Sequence, residues 1–159
     1  MGRSLIGFAG WFCLVAAVAA VGAFASRDAA DFYGSLVRPA WAPPASVFGP
    51  VWTVLYALMA IAAWRVWRIG GWLSARRELA FFLAQLVLNG AWSWLFFAMH
   101  KGAAAFADIL ALWICVATTT VLFARRDRPA AWMLAPYLAW VSFAAFLNAS
   151  VWRLNPALL

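Results

Sequence analysis

Charged residues are scarce in this sequence, and their scarcity decides the class of protein. Only 11% of the 159 residues are Asp, Glu, Lys or Arg, whereas 68% are hydrophobic and the mean hydropathy is +0.88. Because a soluble globular domain carries about 25% charged residues, the composition excludes a water-soluble fold. The chain must use lipid as its solvent.

Histidine and cysteine are also scarce, which limits metal and disulfide chemistry. His100 is the only histidine, and Cys13 and Cys115 lie inside apolar runs, where a thiol behaves as a small hydrophobe. No cluster of Cys, His and acidic residues has the spacing of metal ligands. We therefore expect neither a disulfide nor a protein-built metal site.

Five apolar runs are long enough to cross about 30 Å of hydrocarbon as helices. We predict an all-α integral membrane protein, a five-transmembrane-helix bundle that forms a single domain over residues 1–159. The longest connection, 26–45, is rich in proline, and we predict a loop there that lies outside the hydrocarbon. The predicted spans are 5–25, 47–67, 79–99, 103–124 and 129–152.

The net charge of +7 is a topology signal and does not indicate a nucleic-acid partner, because the basic residues lie between the apolar runs. Eight Lys and Arg residues, Arg3 among them, fall on the side of the amino terminus, and four fall on the other side. By the positive-inside rule we expect a cytoplasmic amino terminus, with the first loop and the carboxyl terminus outside. An alternative for the first run is a cleaved signal peptide, since 23–25 ends in small residues.

Polar and aromatic residues share one face on three of the predicted spans. At about 100° per residue, each set falls within an arc of about 60 to 80°. Because unpaired amides that face lipid are costly, these faces should point into the bundle. The sets are Phe48, Trp52, Tyr56 and Met59 on span two, Gln85, Asn89, Trp92 and Phe96 on span three, and Tyr137, Trp140, Ala144 and Asn148 on span five.

These faces allow two interpretations. They could be packing seams, in which amides form interhelical hydrogen bonds worth about 0.6 to 2 kcal/mol each. They could instead line a void, where the indoles of Trp52, Trp92 and Trp140 would present flat polarizable walls to a planar ligand. Other indoles lie near span ends, where tryptophan commonly anchors a helix at the headgroups. These are Trp41, Trp67, Trp72, Trp132 and Trp152.

Two isolated polar residues are weaker candidates for function. Asp108 lies about one and a half turns into span four, and an intramembrane acid is a candidate functional residue. We expect it to reach the interface or to pair with Lys101. His100 lies at a span end, so we expect it to face solvent and not to ligate haem iron.

Three strings of residues form a distinctive series along the chain. This series resembles the tryptophan-rich sensory protein and translocator protein family (TspO) in order and over essentially the whole chain. The strings are Pro39-x-Trp41-x-Pro43-Pro44 with Val47-Phe48-Gly49-Pro50-Val51-Trp52-Thr53-x-Leu55-Tyr56, then Gln85-x-x-x-Asn89-x-x-Trp92-Ser93-x-x-Phe96-Phe97, then Pro136-Tyr137-Leu138-Ala139-Trp140 through Leu147-Asn148 to Trp152-x-Leu154-Asn155.

The resemblance implies a five-helix receptor, usually a homodimer, that binds porphyrin or haem and acts in tetrapyrrole regulation or stress sensing, with no cofactor built in. It places Trp41 in the loop that lids the cavity. Cholesterol is not expected, because Ala149 stands where the sterol pattern of animal members needs Tyr. With the three faces, the candidate ligand-binding residues are Trp41, Phe48, Trp52, Tyr56, Asn89, Trp92, Phe96, Tyr137, Trp140, Ala144 and Asn148.

Three functions follow from this reading, and a ligand-binding regulatory protein is the preferred one. The second is light- and oxygen-dependent breakdown of protoporphyrin, which the resemblance implies for some bacterial members, with Trp52 and Trp140 as candidate catalytic residues. The sequence offers no conventional catalytic constellation, so such chemistry would come from the photoexcited ligand. The third is a transporter of tetrapyrroles or other apolar metabolites, although no broken helix pair supports two access states.

Overall fold

A computed structural model describes the backbone of residues 2–159 and the side chains of residues 4–159, so the side chain of Arg3 lies outside the described part. The described chain is helical and contains no β-strand. Its helices are α1 (Gly2–Ala25), α2 (Ala29–Ser35), α3 (Phe48–Arg68), α4 (Gly71–Ser74), α5 (Arg76–Ser93), α6 (Gly102–Ala124) and α7 (Arg128–Leu154).

Within residues 2–159, five helices are long and apolar enough to cross a membrane, which confirms the predicted fold class. They are α1, α3, α5 with the π-helical turn Trp94–Ala98 that continues it, α6 and α7. The start of α7 is fixed by Asp127, whose carboxylate accepts a hydrogen bond from the backbone N–H of Ala130 at 3.2 Å. This cap satisfies a first-turn amide and places Pro129 where it costs no helical hydrogen bond.

The five long helices form a closed ring. Going round it, α1 packs on α3, α3 on α7, α7 on α6, α6 on α5, and α5 returns to α1. The turn between α5 and α6 is tight, and His100 takes a positive φ of 52° to reverse the chain there. A ring of five helices can enclose a space that no single pair of helices would leave.

The first helix is an integral part of this ring. A Cβ on Gly7 would lie 2.0 Å from Cζ3 of Trp67 on α3, so glycine is needed for this approach of the two helices. Near the same end the indole N–H of Trp64 donates to the carbonyl of Ser4 at 3.0 Å. Removal of this segment, as the signal-peptide alternative requires, would open the ring.

A chain of hydrogen bonds joins three helices inside the bundle. The Tyr56 hydroxyl donates to Asn89 Oδ1, Asn89 Nδ2 donates to the Tyr137 hydroxyl at 3.1 Å, and that hydroxyl donates to Gln85 Oε1 at 2.7 Å. Asn89, Tyr137 and Gln85 are all buried. The chain therefore fixes the facing sides of α3, α5 and α7 relative to one another.

The segment 26–45 differs from the predicted loop, because it contains the helix α2. Ala29 and Ala30 favour a helix, and Tyr33 and Leu36 lie three residues apart and are both buried, so one side of this segment packs on the bundle. Leu36 belongs to a small apolar cluster at the end of the bundle, with Phe96, Ala105, Leu147 and Val151.

The side-chain amide of Asn155, just beyond α7, forms hydrogen bonds with the backbone that follows α2, a contact called here the Asn155 clasp. Its Oδ1 accepts from the backbone N–H of Val37 at 2.9 Å, and its Nδ2 donates to the carbonyl of Val37 at 2.9 Å. The same Nδ2 donates to the Val151 carbonyl at 2.7 Å. One buried amide thus satisfies three backbone groups and ties the 26–45 segment to the end of α7.

Ion pairs close the opposite end of the bundle. Arg65 at the end of α3 pairs with Asp127 at 3.0 Å, and Arg126 pairs with Glu78 in the first turn of α5 at 2.8 Å. These contacts join the connection between α6 and α7 to the ends of α3 and α5.

Replacement of Tyr137 by Phe should destabilise the bundle, because Asn89 Nδ2 loses its acceptor and Gln85 Oε1 loses its donor in a buried site. The expected cost is about 1 to 2 kcal/mol. Thermal unfolding in detergent, followed by circular dichroism, measures this change. Thr120→Val is the control, since the Thr120 hydroxyl bonds only to the Val116 carbonyl of its own helix. An equal melting temperature for Tyr137→Phe and the parent protein would contradict the structural role of the chain.

Removal of the clasp by Asn155→Ala should expose the Val37 amide to solvent. Hydrogen exchange of a peptide that contains residues 36–38, read by mass spectrometry, should accelerate by about tenfold or more, because opening then costs at least one buried hydrogen bond less. Asn155→Asp keeps an acceptor for the Val37 N–H and should retain part of the protection. Unchanged exchange in the Ala variant would show that the clasp does not hold this segment.

Candidate functional site

A cavity of about 680 Å³ lies inside the helix ring. All five long helices contribute to its wall, and α2 with the preceding turn forms its roof. Most of the lining side chains are apolar, with neutral polar groups from Tyr56, Asn89 and Ser93 at separate points. The volume lies in the range of small-molecule sites, about 300 to 1,000 Å³.

Three indoles from three helices meet at this cavity. Trp52 comes from α3, Trp92 from α5 and Trp140 from α7. The Phe48 ring meets Trp140 edge to face at 5.9 Å, and Trp52 lies beside Tyr56 at a centroid distance of 5.4 Å. The result is a wall made largely of aromatic faces and edges, the kind of surface that favours a flat ring system.

Residues behind the wall hold Trp92 in place. Its indole N–H donates to Asn148 Oδ1 at 2.9 Å, and Asn148 Nδ2 donates to the Gly102 carbonyl at 3.2 Å. The Phe96 ring stacks under the indole at 5.2 Å with the planes 12° apart. A Cβ on Gly102 would come within 2.9 Å of Trp152, so glycine at this position allows the close approach of α6 and α7.

Trp52 is held by the hydrogen-bonded chain described above. Its ring meets the Tyr137 ring at 6.1 Å on one side and the Tyr56 ring on another. Tyr56 and Asn89 line the cavity, whereas Tyr137 is fully buried behind them. Trp52 therefore packs on two rings whose hydroxyls join α3, α5 and α7 by hydrogen bonds.

The structure divides the eleven candidate ligand-binding residues into two groups. One group lines the cavity: Phe48, Trp52, Tyr56, Asn89, Trp92, Trp140 and Ala144. The other group does not: Trp41, Phe96, Tyr137 and Asn148. Phe96, Tyr137 and Asn148 lie behind wall residues and position them, as the contacts above show.

Trp41 differs most from the sequence-based expectation, since it does not cover the cavity. Its side chain is 52% exposed, and its ring packs against Phe143 on α7 at 5.9 Å. The reason is the anchoring of the preceding chain, because burial of Leu36 and the Asn155 clasp on Val37 carry residues 36–42 across the end of α7. The roof over the cavity comes instead from Ala29, Ala30 and Tyr33.

Tyr33 fixes this roof. Its hydroxyl donates to the carbonyl of Pro43 at 3.1 Å, and its ring meets Phe48 edge to face at 5.4 Å. Burial raises the pKa of the Tyr33 phenol and outweighs the opposing effect of nearby Arg38. The roof helix is also held by Phe32, whose ring stacks on exposed His100 at 3.9 Å.

Sequence reasoning missed the contributions of α1 and α6 to the cavity. The α1 wall consists of Phe12, Val15 and small residues, and α6 adds Ile109 and Leu112. The available signal was the run of small residues Ala16, Ala19, Gly22 and Ala23, which leaves space on one side of α1. Small residues can equally indicate close helix packing, so the sequence alone did not separate the two uses.

The isolated polar candidates lie outside the cavity. Asp108 is half-buried, and its Oδ2 is buried with no hydrogen-bond partner among residues 4–159. The expected pairing with Lys101 is not among the ion pairs of this part of the chain. His100 is exposed, as expected. The same residues bring together no group of three His, Cys, Asp or Glu side chains that could hold a metal ion.

Comparison with known proteins gives consistent results over most of the chain. A sequence model of the TspO/MBR family matches residues 11–153. Tryptophan-rich protein TspO of Chlorobaculum tepidum is 42% identical over 136 residues, which cover 84% of this chain and 85% of that relative. Protein CrtK of Rhodobacter capsulatus is 40% identical over 158 residues, with 96% and 95% covered. Translocator protein of Homo sapiens is 38% identical over 134 residues, with 83% and 79% covered.

These matches confirm the resemblance drawn from the three sequence strings, and they extend from α1 to the end of α7. The fold agrees with them, since five helices able to cross a membrane surround one aromatic cavity in the described residues. The chain therefore belongs to the TspO/MBR family of multi-pass membrane proteins.

Proposed function

We propose that this protein binds a flat, largely apolar tetrapyrrole, such as porphyrin or haem, inside the helix ring and acts in tetrapyrrole regulation or stress sensing. The observation that carries the proposal is the meeting of Trp52, Trp92 and Trp140, from three different helices, at one cavity. Helix packing or lipid anchoring alone does not require indoles from different helices to line one cavity.

The wall chemistry suits such a ligand. Aromatic faces and edges contact a planar ring favourably, and the apolar remainder of the wall gains from the removal of ring surface from water. The indole N–H groups of Trp52 and Trp140 form no hydrogen bond within residues 4–159. They are therefore available as donors to polar atoms of the ligand.

The cavity is also preorganised. Trp92 is fixed by Asn148 and Phe96, and Trp52 by the chain through Tyr56, Asn89 and Tyr137. Side chains that are already held in one rotamer lose little conformational entropy when a ligand arrives. This rigidity favours recognition of one shape over adaptation to many.

The membrane orientation and a homodimer are further parts of the proposal. The roof helix would face the outside, because most basic residues lie at the opposite end of the bundle. Pairs of small residues on the outer faces of two helices, α5 and α6, are exposed and would permit close contact with a second copy. These pairs are Ala80 with Ala84 and Ala107 with Ala111.

Replacement of Trp52 or Trp140 by Phe should weaken porphyrin binding by about three- to tenfold each, because stacking area and an N–H donor are lost. Titration of protoporphyrin into the protein in detergent, with quenching of tryptophan fluorescence as readout, measures the dissociation constants. Trp132→Phe is the matched control, since the Trp132 side chain is 76% exposed on the outside of α7. If both cavity variants titrate like the parent and the control, the assigned site is incorrect.

Light-driven breakdown of the bound porphyrin is a second candidate function. The observation that favours it is a contiguous set of oxidisable rings at the cavity, in which Trp52 contacts Tyr56 and Tyr137 at 5.4 and 6.1 Å. The two phenols are joined through Asn89 by hydrogen bonds. In this reaction oxygen would be the oxidant and the photoexcited ligand its substrate, with the neighbouring rings as oxidisable partners and no conventional acid or base.

This candidate predicts that Trp140→Phe slows porphyrin loss in light without abolishing binding, because one oxidisable ring beside the ligand is removed while apolar contact remains. Porphyrin absorbance is followed under illumination in air, at protein concentrations that saturate both variants. Trp132→Phe again serves as control. Equal decay in all three proteins would remove Trp140 from any enzymatic role and leave the binding function as it stands.

A further inference from the structure

The roof of the cavity carries one charged side chain. Arg27, in the turn between α1 and α2, is the only residue with a formal charge among the described residues that line the cavity. The remainder of the wall is apolar or neutral, so this guanidinium gives the cavity a polar end. A ligand with an apolar ring and an anionic edge would match both parts.

The guanidinium of Arg27 is only loosely engaged. Its Nε pairs with Asp28 Oδ2 at 3.3 Å, but the two side chains are 67% and 83% exposed. An ion pair so exposed to water contributes little and is readily exchanged. The two terminal nitrogens form no hydrogen bond with any described residue, which leaves the fork of donors that suits a carboxylate.

The Arg27 guanidinium also contacts an aromatic ring that does not line the cavity. The Arg27 Cζ lies 5.0 Å from the centroid of the Phe24 ring, within the range of a cation–π contact. Arg38 is the other cation of the 26–45 segment, but it lies over the Tyr33 ring at 4.8 Å and does not line the cavity. Asp28 and Asp31 are exposed acids of this segment, and neither lines the cavity.

We propose that Arg27 is the carboxylate-binding residue of the cavity and selects planar ligands that carry acid side chains along one edge. The acid edge sits at the roof beside Arg27, and the ring lies deeper, against the indoles of Trp52 and Trp140. The inference rests on the proposed function, since it specifies the ligand class of that same cavity. It predicts discrimination between acid and neutral forms of one ring system.

The test compares protoporphyrin with its dimethyl ester in the full-length protein, in neutral detergent at low salt. The parent should bind the diacid more tightly than the ester by about five- to tenfold, a modest factor because solvent screens a partly exposed pair. In Arg27→Gln this ratio should fall to about one, with the affinity for the ester unchanged. Arg38→Gln, the matched control, should keep the parental ratio.

The possible results separate this inference from the proposed function. A parental preference for the diacid that persists in Arg27→Gln overturns the role of Arg27, as does equal binding of the two forms by the parent. Either result leaves the cavity itself as a porphyrin site. If neither form quenches tryptophan fluorescence in the parent, the proposed function and this inference are both wrong.

A second anionic group, the phosphate of a lipid headgroup, has similar chemistry and is tested in a separate arm. Phosphatidylglycerol is added to the micelles, and its effect on both titrations is measured in the parent and in Arg27→Gln. If phosphatidylglycerol lowers the preference for the diacid in the parent but not in Arg27→Gln, Arg27 forms a carboxylate site that the lipid phosphate can also enter. Binding of phosphatidylglycerol that depends on Arg27, without any preference for the diacid, assigns the guanidinium to lipid and overturns the proposal.

Discussion

The structure depends on the pairing of polar side chains inside an apolar medium. Lipid offers no hydrogen-bond partner, so an amide or hydroxyl carried into the hydrocarbon must find one in another part of the protein. Tyr56, Asn89 and Tyr137 bond to one another across α3, α5 and α7, and the Tyr137 hydroxyl also donates to Gln85 Oε1. The requirement for pairing thus decides which faces of these helices point inward.

The same bonds position the aromatic wall. Trp92 has its N–H bound by Asn148, which in turn bonds to the Gly102 carbonyl at the start of α6. Trp52 packs on the two tyrosines of the buried chain. Because the groups that stabilise the bundle also orient the indoles, stability and the shape of the cavity are coupled.

The sequence predicted seven of the cavity-wall residues because spans three and five combine amides with aromatics at helical spacing. Periodicity identifies the inward face, but it does not tell the first layer of side chains from the second. Phe96, Tyr137 and Asn148 share that face and lie behind the wall, since their distance from the hollow depends on the packing of neighbouring helices. Trp41 was misplaced for another reason, because its position follows from contacts of Leu36 and Val37 with residues 60 to 118 positions away.

Composition and hydropathy alone determined that the chain lies in lipid, that its fold is all-α and that it has five membrane helices. A long uncharged run has few alternatives to a membrane helix. The tertiary structure decided the order of the helices around the ring. It also decided that α1 and α6 form cavity walls and that residues 26–45 fold into a roof. Each of these depends on contacts between residues far apart in the chain, such as Gly7 with Trp67 and Asn155 with Val37. Local periodicity carries no information about such pairs, so only the packed bundle brings Arg27 to the roof of an indole-lined cavity.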